Sequence, residues 1–239
     1  MKKTNVFYTL LVGNMSINGA VLAQPIDFSD LSSWTQNGNI TSTLSTVNLN
    51  LGGTPFSLTP AANYNLVQVE PNNPSFTASS AETALGLSAG AIVGQVGSDS
   101  TNYGILTKSL SLQSGTYSFA WSYASQDYLP FTDGAFFSLS GAGQSQFNVL
   151  ARNGDASITP PQTGFPAGTI VLQSFGSTAW NEYTFNIATA GSYQIGFGGF
   201  NALDTGMNPI LSLSGIAGTY SGCDKRTKSS DPTDPTPTV

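Results

Sequence analysis

The stretch SQDYLPFTDGAFFSLSG, Ser125 to Gly141, sets Asp127 and Asp133 on either side of an aromatic and proline segment, just ahead of an apolar run. Charged residues are only 8% of the chain, so two carboxylates six positions apart in one loop ask for a chemical reason. Hard cations take several oxygen ligands from carboxylates and carbonyls held in a rigid loop. Asp127, Asp133 and Asp204 with Asn201 make a candidate calcium cage of that kind. The spacing is not that of an EF-hand. The plainer alternative is a turn at Asp133-Gly134, with Asp127 bonding nearby backbone amides.

Two other chemistries compete. Sugar recognition pairs an exposed aromatic face with hydrogen-bonding side chains. Tyr128, Phe131 and Trp180 are candidates for the face, and Arg152 and Asn153, in ARNGDAS, for the polar part. Trp34 reads as a core residue. A glycosidase needs two carboxyl groups about 5–9.5 Å apart. The acids on offer are Glu70, Glu82, Glu182 and scattered Asp residues. Glu82 suits a helix cap, Glu182 lies in a strand, and nothing in the sequence sets an acid of raised pKa beside a base. The sequence is therefore read as non-catalytic.

Composition narrows the classes further. The chain of 239 residues has no histidine, which removes Ser-His-Asp and Cys-His nucleophiles and His-ligated zinc. The single cysteine, Cys223, has no internal disulfide partner. Net charge is -6, and between Lys3 and Lys225 the only basic side chains are Lys108 and Arg152. Nucleic acids and anionic membranes need clustered Lys and Arg, so neither is an expected partner.

The elements that must position these residues are strands. Residues 1–23, MKKTNVFYTLLVGNMSINGAVLA, read as a signal peptide cleaved before Gln24. No run of eighteen apolar residues occurs elsewhere, so no transmembrane helix is expected. Residues 223–239, rich in Pro, Thr and Asp, read as a disordered linker or tail. The body, 24–222, is punctuated by Gly, Asn, Ser and Pro every eight to twelve residues, with short β-branched and aromatic runs between. That predicts an all-β fold, an antiparallel β-sandwich of jelly-roll type. Alternation puts Tyr117, Phe119, Trp121 and Tyr123 on one strand face, and Tyr193, Ile195 and Phe197 on another. One segment, 79–94, predicts a short helical insertion capped at Ser79 or Ser80. Glu82 would stand in its first turn, Gly86 and Gly90 would limit it, and Ser88 would open a second turn.

The chain also echoes itself. LSLQSGTYSFAW and FNIATAGSYQIGF each read as a strand, a small-Gly turn and an aromatic-led strand, which predicts two tight hairpins at Ser114-Gly115 and Ala190-Gly191. Each copy runs into a loop carrying Asp, and equivalent copies would bring those loops to one rim.

The segments ETALGLSAGAI, TKSLSLQSGTYSFAWSYASQDYLPFTDGAFFSLSG and TAWNEYTFNIATAGSYQIGFGGFNALDTG, in that order, resemble a family of secreted bacterial proteins known as PEP-CTERM or choice-of-anchor domain proteins. The resemblance covers about Ser79 to Gly222. It implies a secreted or surface β-sandwich similar to jelly-roll carbohydrate-binding modules, a place in exopolysaccharide, biofilm or envelope, and no established catalysis. The chain departs from the family pattern at MNPILSLSG, where Asn208 and Ser214 stand in place of further Asp and a calcium site loses charge. It also shows PTPTV where the family's sorting tail begins.

The resulting expectation is a non-catalytic protein, secreted or on the cell surface, in the extracellular matrix or envelope. Its expected partners are polysaccharide or copies of itself, with calcium as the candidate cofactor. The alternatives are a subunit of a self-assembling surface filament or layer, and a glycoside hydrolase.

Overall fold

Tyr117, Phe119, Trp121 and Tyr123 alternate along one strand, and all four enter the same buried cluster, as do Tyr193, Ile195 and Phe197. The structure is a computed structural model that describes residues 22–155 and 164–222. The bulk of the expected signal peptide, and the 223–239 tail with Cys223, lie outside the described residues. In chain order the strands are β1 (Gln24–Pro25), β2 (Thr35–Asn37), β3 (Asn39–Thr43), β4 (Val47–Leu51), β5 (Thr54–Thr59) and β6 (Leu66–Glu70). Helices α1 (Ala78–Leu85) and α2 (Val93–Val96) follow. Then come β7 (Ser100–Leu112), β8 (Gly115–Ala124), β9 (Gly134–Gly141), β10 (Gln144–Asn153) and β11 (Ile170–Leu172). The last four are β12 (Asn181–Ile187), β13 (Gly191–Ala202), β14 (Ile210–Ser214) and β15 (Thr219–Gly222).

Two six-stranded sheets form the sandwich. One runs β11-β10-β9-β13-β7-β2, and the other contains β8-β14-β6-β3 with β1 and β12 also paired to β8. From β6 to β9, and again from β12 to β14, successive strands cross from one sheet to the other, as jelly rolls do. Between the sheets lies an aromatic layer. Phe119 meets Phe197 edge-on at 4.8 Å and Phe137 at 5.1 Å, and Phe137 meets Phe185 at 5.0 Å.

The outer faces are covered too. A three-stranded sheet, β15-β5-β4, packs Leu51, Phe56 and Leu58 against Leu66, Ala124 and Ile210. On the other side the helices bury Ala81, Leu85, Ile92 and Val96 against Tyr103, Ile105, Phe136 and Phe200. Strands covered on both faces lose the outward polar row, which is why Phe136 and Phe200 sit among inward-facing neighbours as a continuous apolar run.

The helical insertion is present, with different boundaries. Thr77 caps α1, accepting from the Ser80 amide at 3.4 Å, and Gly86 ends it in the left-handed region at φ 65°. The second helix is Val93–Val96, so Ser88 does not open it. Glu82 is not in the first turn. It is buried, and its carboxylate accepts from the amides of Gly90 at 3.0 Å and Ile92 at 2.9 Å, latching the loop between the helices. A buried carboxylate takes the donors that its side-chain direction offers, and here those lie eight and ten residues on. The helix docks over Gly196, where a Cβ would meet Leu85 Cδ2 at 2.1 Å, and Ser140 Oγ bonds the Leu85 carbonyl at 2.7 Å.

The two expected hairpins are instead arches. β7 and β8 belong to different sheets, as do β12 and β13, so Ser114-Gly115 and Ala190-Gly191 carry the chain across the sandwich. A period-two pattern around a small-residue turn is the same for both geometries. What separates them is a tyrosine whose hydroxyl reaches four residues back. Tyr117 bonds the Gln113 carbonyl at 3.2 Å, and Tyr193 the Thr189 carbonyl at 2.7 Å. Such a corner pins a chain leaving one sheet for the other. The echo is real, because β7 pairs with β13 and β8 with β12, both antiparallel. The arches lie at one end, and the loops after β8 and β13 lie together at the other. No helix among the described residues is long and apolar enough to cross a membrane. Tyr117→Phe and Tyr193→Phe should each lower unfolding free energy by about 1–2 kcal/mol, checked by urea denaturation, because each loses the two hydrogen bonds of its hydroxyl (Tyr117 with the Gln113 amide and carbonyl, Tyr193 with the Thr189 carbonyl and Gln144 Oε1) and no packing.

Candidate functional site

The loop 125–133 leaves β8 and returns as β9, and the loop 203–209 leaves β13 for β14. They meet where Gln126 Nε2 donates to the Asn208 carbonyl at 2.8 Å, and where the Ala202 amide donates to Asp133 Oδ1 at 2.8 Å. The expectation that the Asp-bearing loops share a rim therefore holds. Their carboxylates do not decorate that rim from outside: Asp127 is 1% exposed and Asp133 is 0% exposed.

Three side chains stand in a row across adjacent strands. Gly134 pairs with Arg152 on β10 and with Phe200 on β13. One step further, Asp133 lies between Asn153 and Asn201, and the Asn153 amide donates to the Asp133 carbonyl at 2.8 Å. Neighbouring strands are about 4.8 Å apart, so the row is close-set. Two bulges create it. On β10 the register slips between Val149 and Ala151, so Leu150 and Ala151 both face the inner core and the alternation inverts. Asn153 then points inward with Asp133 and Arg152 points outward, where without the slip their places would exchange. On β7, Thr101 and Asn102 together oppose Asn201, since Tyr103 and Ser100 pair with Phe200 and Ala202. Gly134 permits the close approach: a Cβ there would meet Phe200 Cζ at 2.5 Å and the Ala151 carbonyl at 2.8 Å.

The carboxamides are oriented by their nitrogens. Asn153 Nδ2 donates to the carbonyls of Asp127 at 3.1 Å and Phe131 at 3.2 Å. Asn201 Nδ2 donates to Asn102 Oδ1 at 3.0 Å and Asn208 Oδ1 at 2.9 Å. Flipping Asn153 would set oxygen against two carbonyl oxygens, so its assignment is fixed. That leaves Asn153 Oδ1 and Asn201 Oδ1 buried without a hydrogen-bond donor, together with Asp127 Oδ2 and Asp133 Oδ2. Native proteins leave few such atoms, each at a cost of about 1–3 kcal/mol or more.

Burial pushes the Asp133 carboxyl up to about 8, against the hydrogen bond from the Ala202 amide and with the charges of Asp127 and Asp204 adding to the rise. Burial also raises Asp127, against the Tyr128 amide that bonds its Oδ1 at 2.7 Å, and Asp204 adds to it. The Tyr123 hydroxyl is raised well above its usual value by burial and then by the charge of Asp133.

Among the described residues no group of three or more His, Cys, Asp or Glu side chains is placed to hold a metal. The oxygen set is two carboxylates and two carboxamides instead. Asp204 acts on it through charge, while its own Oδ1 accepts from the Gly206 amide at 3.0 Å. Asn153, expected at a sugar site, belongs to this set. Its inward turn depends on a bulge that leaves no mark in composition.

The other expected sugar contacts are dispersed. Arg152 is 2% exposed and donates to Thr132 O, Thr132 Oγ1, Val96 O and Gly164 O, with its guanidinium over Phe165 and Phe200. It is a structural clamp out of reach of a sugar, because it is buried and its N–H groups bond Thr132, Val96 and Gly164. Trp180 is half-buried against the cluster of Leu51, Phe56 and Leu58 under the three-stranded sheet, and its Nε1 donates to the Thr59 carbonyl at 3.3 Å. Tyr128 is 51% exposed, with Phe131 edge-on at 5.3 Å and Phe175 at 6.0 Å. Leu129, Leu203 and Met207, on the same two loops, are exposed as well.

No protein-family model and no curated protein matches the chain. Among solved structures it is similar to the enzymatically active domain of tailspike protein 4 from bacteriophage CBA120, at 12% identity and a TM-score of 0.28. The match covers 82% of this chain and 20% of that one. The sequence-based expectation of a non-enzyme is corrected accordingly and withdrawn, since the structure matched is an enzymatically active domain. A likeness this slight assigns no fold, substrate or reaction in its place.

With divalent cations chelated, the proton on Asp133 gives a sign to the pH dependence. The unfolded carboxyl titrates near 4 and the folded one near 8, so between them the folded state holds the extra proton. Its contribution is fully present below the lower value and is lost as pH rises through the upper one. Melting in chelator should therefore shift down between pH 5 and pH 8 (roughly that window). Asp133→Asn, which keeps the Oδ1 acceptor and removes the charge, should flatten the profile and melt above wild type at the alkaline end.

Proposed function

We propose that the protein is an exported or cell-surface β-sandwich that binds polysaccharide at the end of the sandwich carrying loops 125–133 and 203–209. The observation that supports this reading is the exposed Tyr128 ring, braced by Phe131 and Phe175 and flanked by the exposed Leu129. A braced ring offers its face to the apolar side of a pyranose without losing rotamer freedom on binding. Asp204, only partly buried, and Gln126 and Asn208, half-buried, supply hydrogen-bonding groups on the same two loops. The sequence resemblance to secreted sandwich proteins, and the reading of residues 1–23 as a signal peptide, support export.

One observation favours a second reading. Strand β3, NITST, ends its sheet and bears neither charge nor proline, so it lacks the usual guards against strand pairing with another copy.

A glycan array on the chain, with a size measurement on the same sample, separates the two. Binding to a subset of polysaccharides that falls about tenfold in Tyr128→Ala, and stays level in Trp180→Phe, is the expected outcome. Uniform silence on the array, or a Tyr128→Ala protein that binds as well as wild type, overturns the glycan reading. A concentration-dependent polymer supports the second.

A further inference from the structure

We propose that Asp127 Oδ2, Asp133 Oδ2, Asn153 Oδ1 and Asn201 Oδ1 bind one divalent cation of the calcium class, tying the loop after β8 to the ends of β9, β10 and β13. The inference does not rest on glycan binding. It rests on four oxygens that are buried and lack donors at one end of the inner face.

Two of the four belong to neutral carboxamides, so this is more than an acidic cluster. Asn153 and Asn201 are both 0% exposed, and their nitrogens are already committed elsewhere. Their oxygens flank Asp133 in the strand register, on the face that Ala135 and Ala151 turn to the core. Asp127 comes from the opposite sheet's strand end and is held against the row, because Asn153 Nδ2 bonds its carbonyl. Buried carboxylate and carboxamide oxygens that lack donors are the ligand type hard cations select.

Charge fits as well. With both protons released, Asp127 and Asp133 present -2, and two unpaired charges in the interior cost several kcal/mol. Arg152 offsets them only from a distance: its charge favours ionised Asp133, but it points to the other face of β10 and its N–H groups bond carbonyls and Thr132 Oγ1. One divalent ion balances the pair. Calcium accepts six to eight oxygens in loose geometry at about 2.3–2.6 Å, and a mix of carboxylate and carboxamide oxygens suits it. Magnesium demands near-octahedral ligands at about 2.0–2.1 Å and dehydrates reluctantly, so a set of four protein oxygens suits it less.

The test is calcium titration of the chelator-treated chain by calorimetry, with thermal melting on the same samples. A saturable site of one equivalent and a melting point that rises with calcium are expected, with magnesium weaker. Asp127→Asn and Asn201→Ala should each weaken calcium at least about tenfold, while Glu182→Gln, an exposed side chain of β12 opposite Ala120, leaves it unchanged. Terbium luminescence on the wild-type chain keeps the test open if a variant fails to fold. Excitation of Tyr123 should sensitise bound terbium, and calcium should quench that emission by displacement. No saturable heat with millimolar calcium, no terbium emission, or variants that bind like wild type would each overturn the proposal. The ion is read without any glycan, so its failure and the failure of the glycan reading are distinct results.

Discussion

A carboxylate oxygen taken out of water must find a donor, a proton or a cation, and this constraint organises one end of the sandwich. The inner layer is aromatic along most of its length, from Tyr117 and Tyr193 near the arches through Phe119, Phe137 and Phe197. At the far end it changes to oxygen: Asn153, Asp133 and Asn201 in a row, with Asp127 brought across from the other sheet. The surrounding polar groups serve that change. Asn102 and Asn208 hold the Asn201 nitrogen, the Asp127 and Phe131 carbonyls hold the Asn153 nitrogen, and Ala202 holds one Asp133 oxygen. The loop that exposes Tyr128 is the same loop that buries Asp127 and Asp133.

The geometry depends on two small irregularities in otherwise regular strands. A slip at Leu150 sends Asn153 inward and Arg152 outward, and a second at Thr101–Asn102 faces two residues against Asn201. The first also creates the Arg152 clamp, which gathers Val96, Thr132 and Gly164 around one guanidinium over Phe200. One bulge thus separates an oxygen-bearing inner face from a cationic outer anchor, using adjacent residues.

Much of this was legible in the sequence, and the part that was not has a physical reason. Alternating aromatics placed Tyr117, Phe119, Trp121 and Tyr123 in the core correctly, since period two and burial are tied by strand geometry. The convergence of the two Asp-bearing loops followed from the echo between the arches. The arches themselves were misread as hairpins, because composition is alike in both and only Tyr117 and Tyr193 reaching four residues back distinguishes them. Arg152 and Asn153 were joined in one expected site because neighbours in sequence look alike in function, whereas a strand sends neighbours to opposite faces. Glu82 was assigned to a helix end by residue type, and its true donors, Gly90 and Ile92, come from a loop whose path no local rule dictates.

The most direct measurement is a crystal of the chain grown with calcium, with data collected at a wavelength where calcium scatters anomalously. A single anomalous peak within about 2.3–2.6 Å of Asp127 Oδ2, Asp133 Oδ2, Asn153 Oδ1 and Asn201 Oδ1 is the predicted result. A map with no peak there, and those four oxygens satisfied by protein donors, would contradict it.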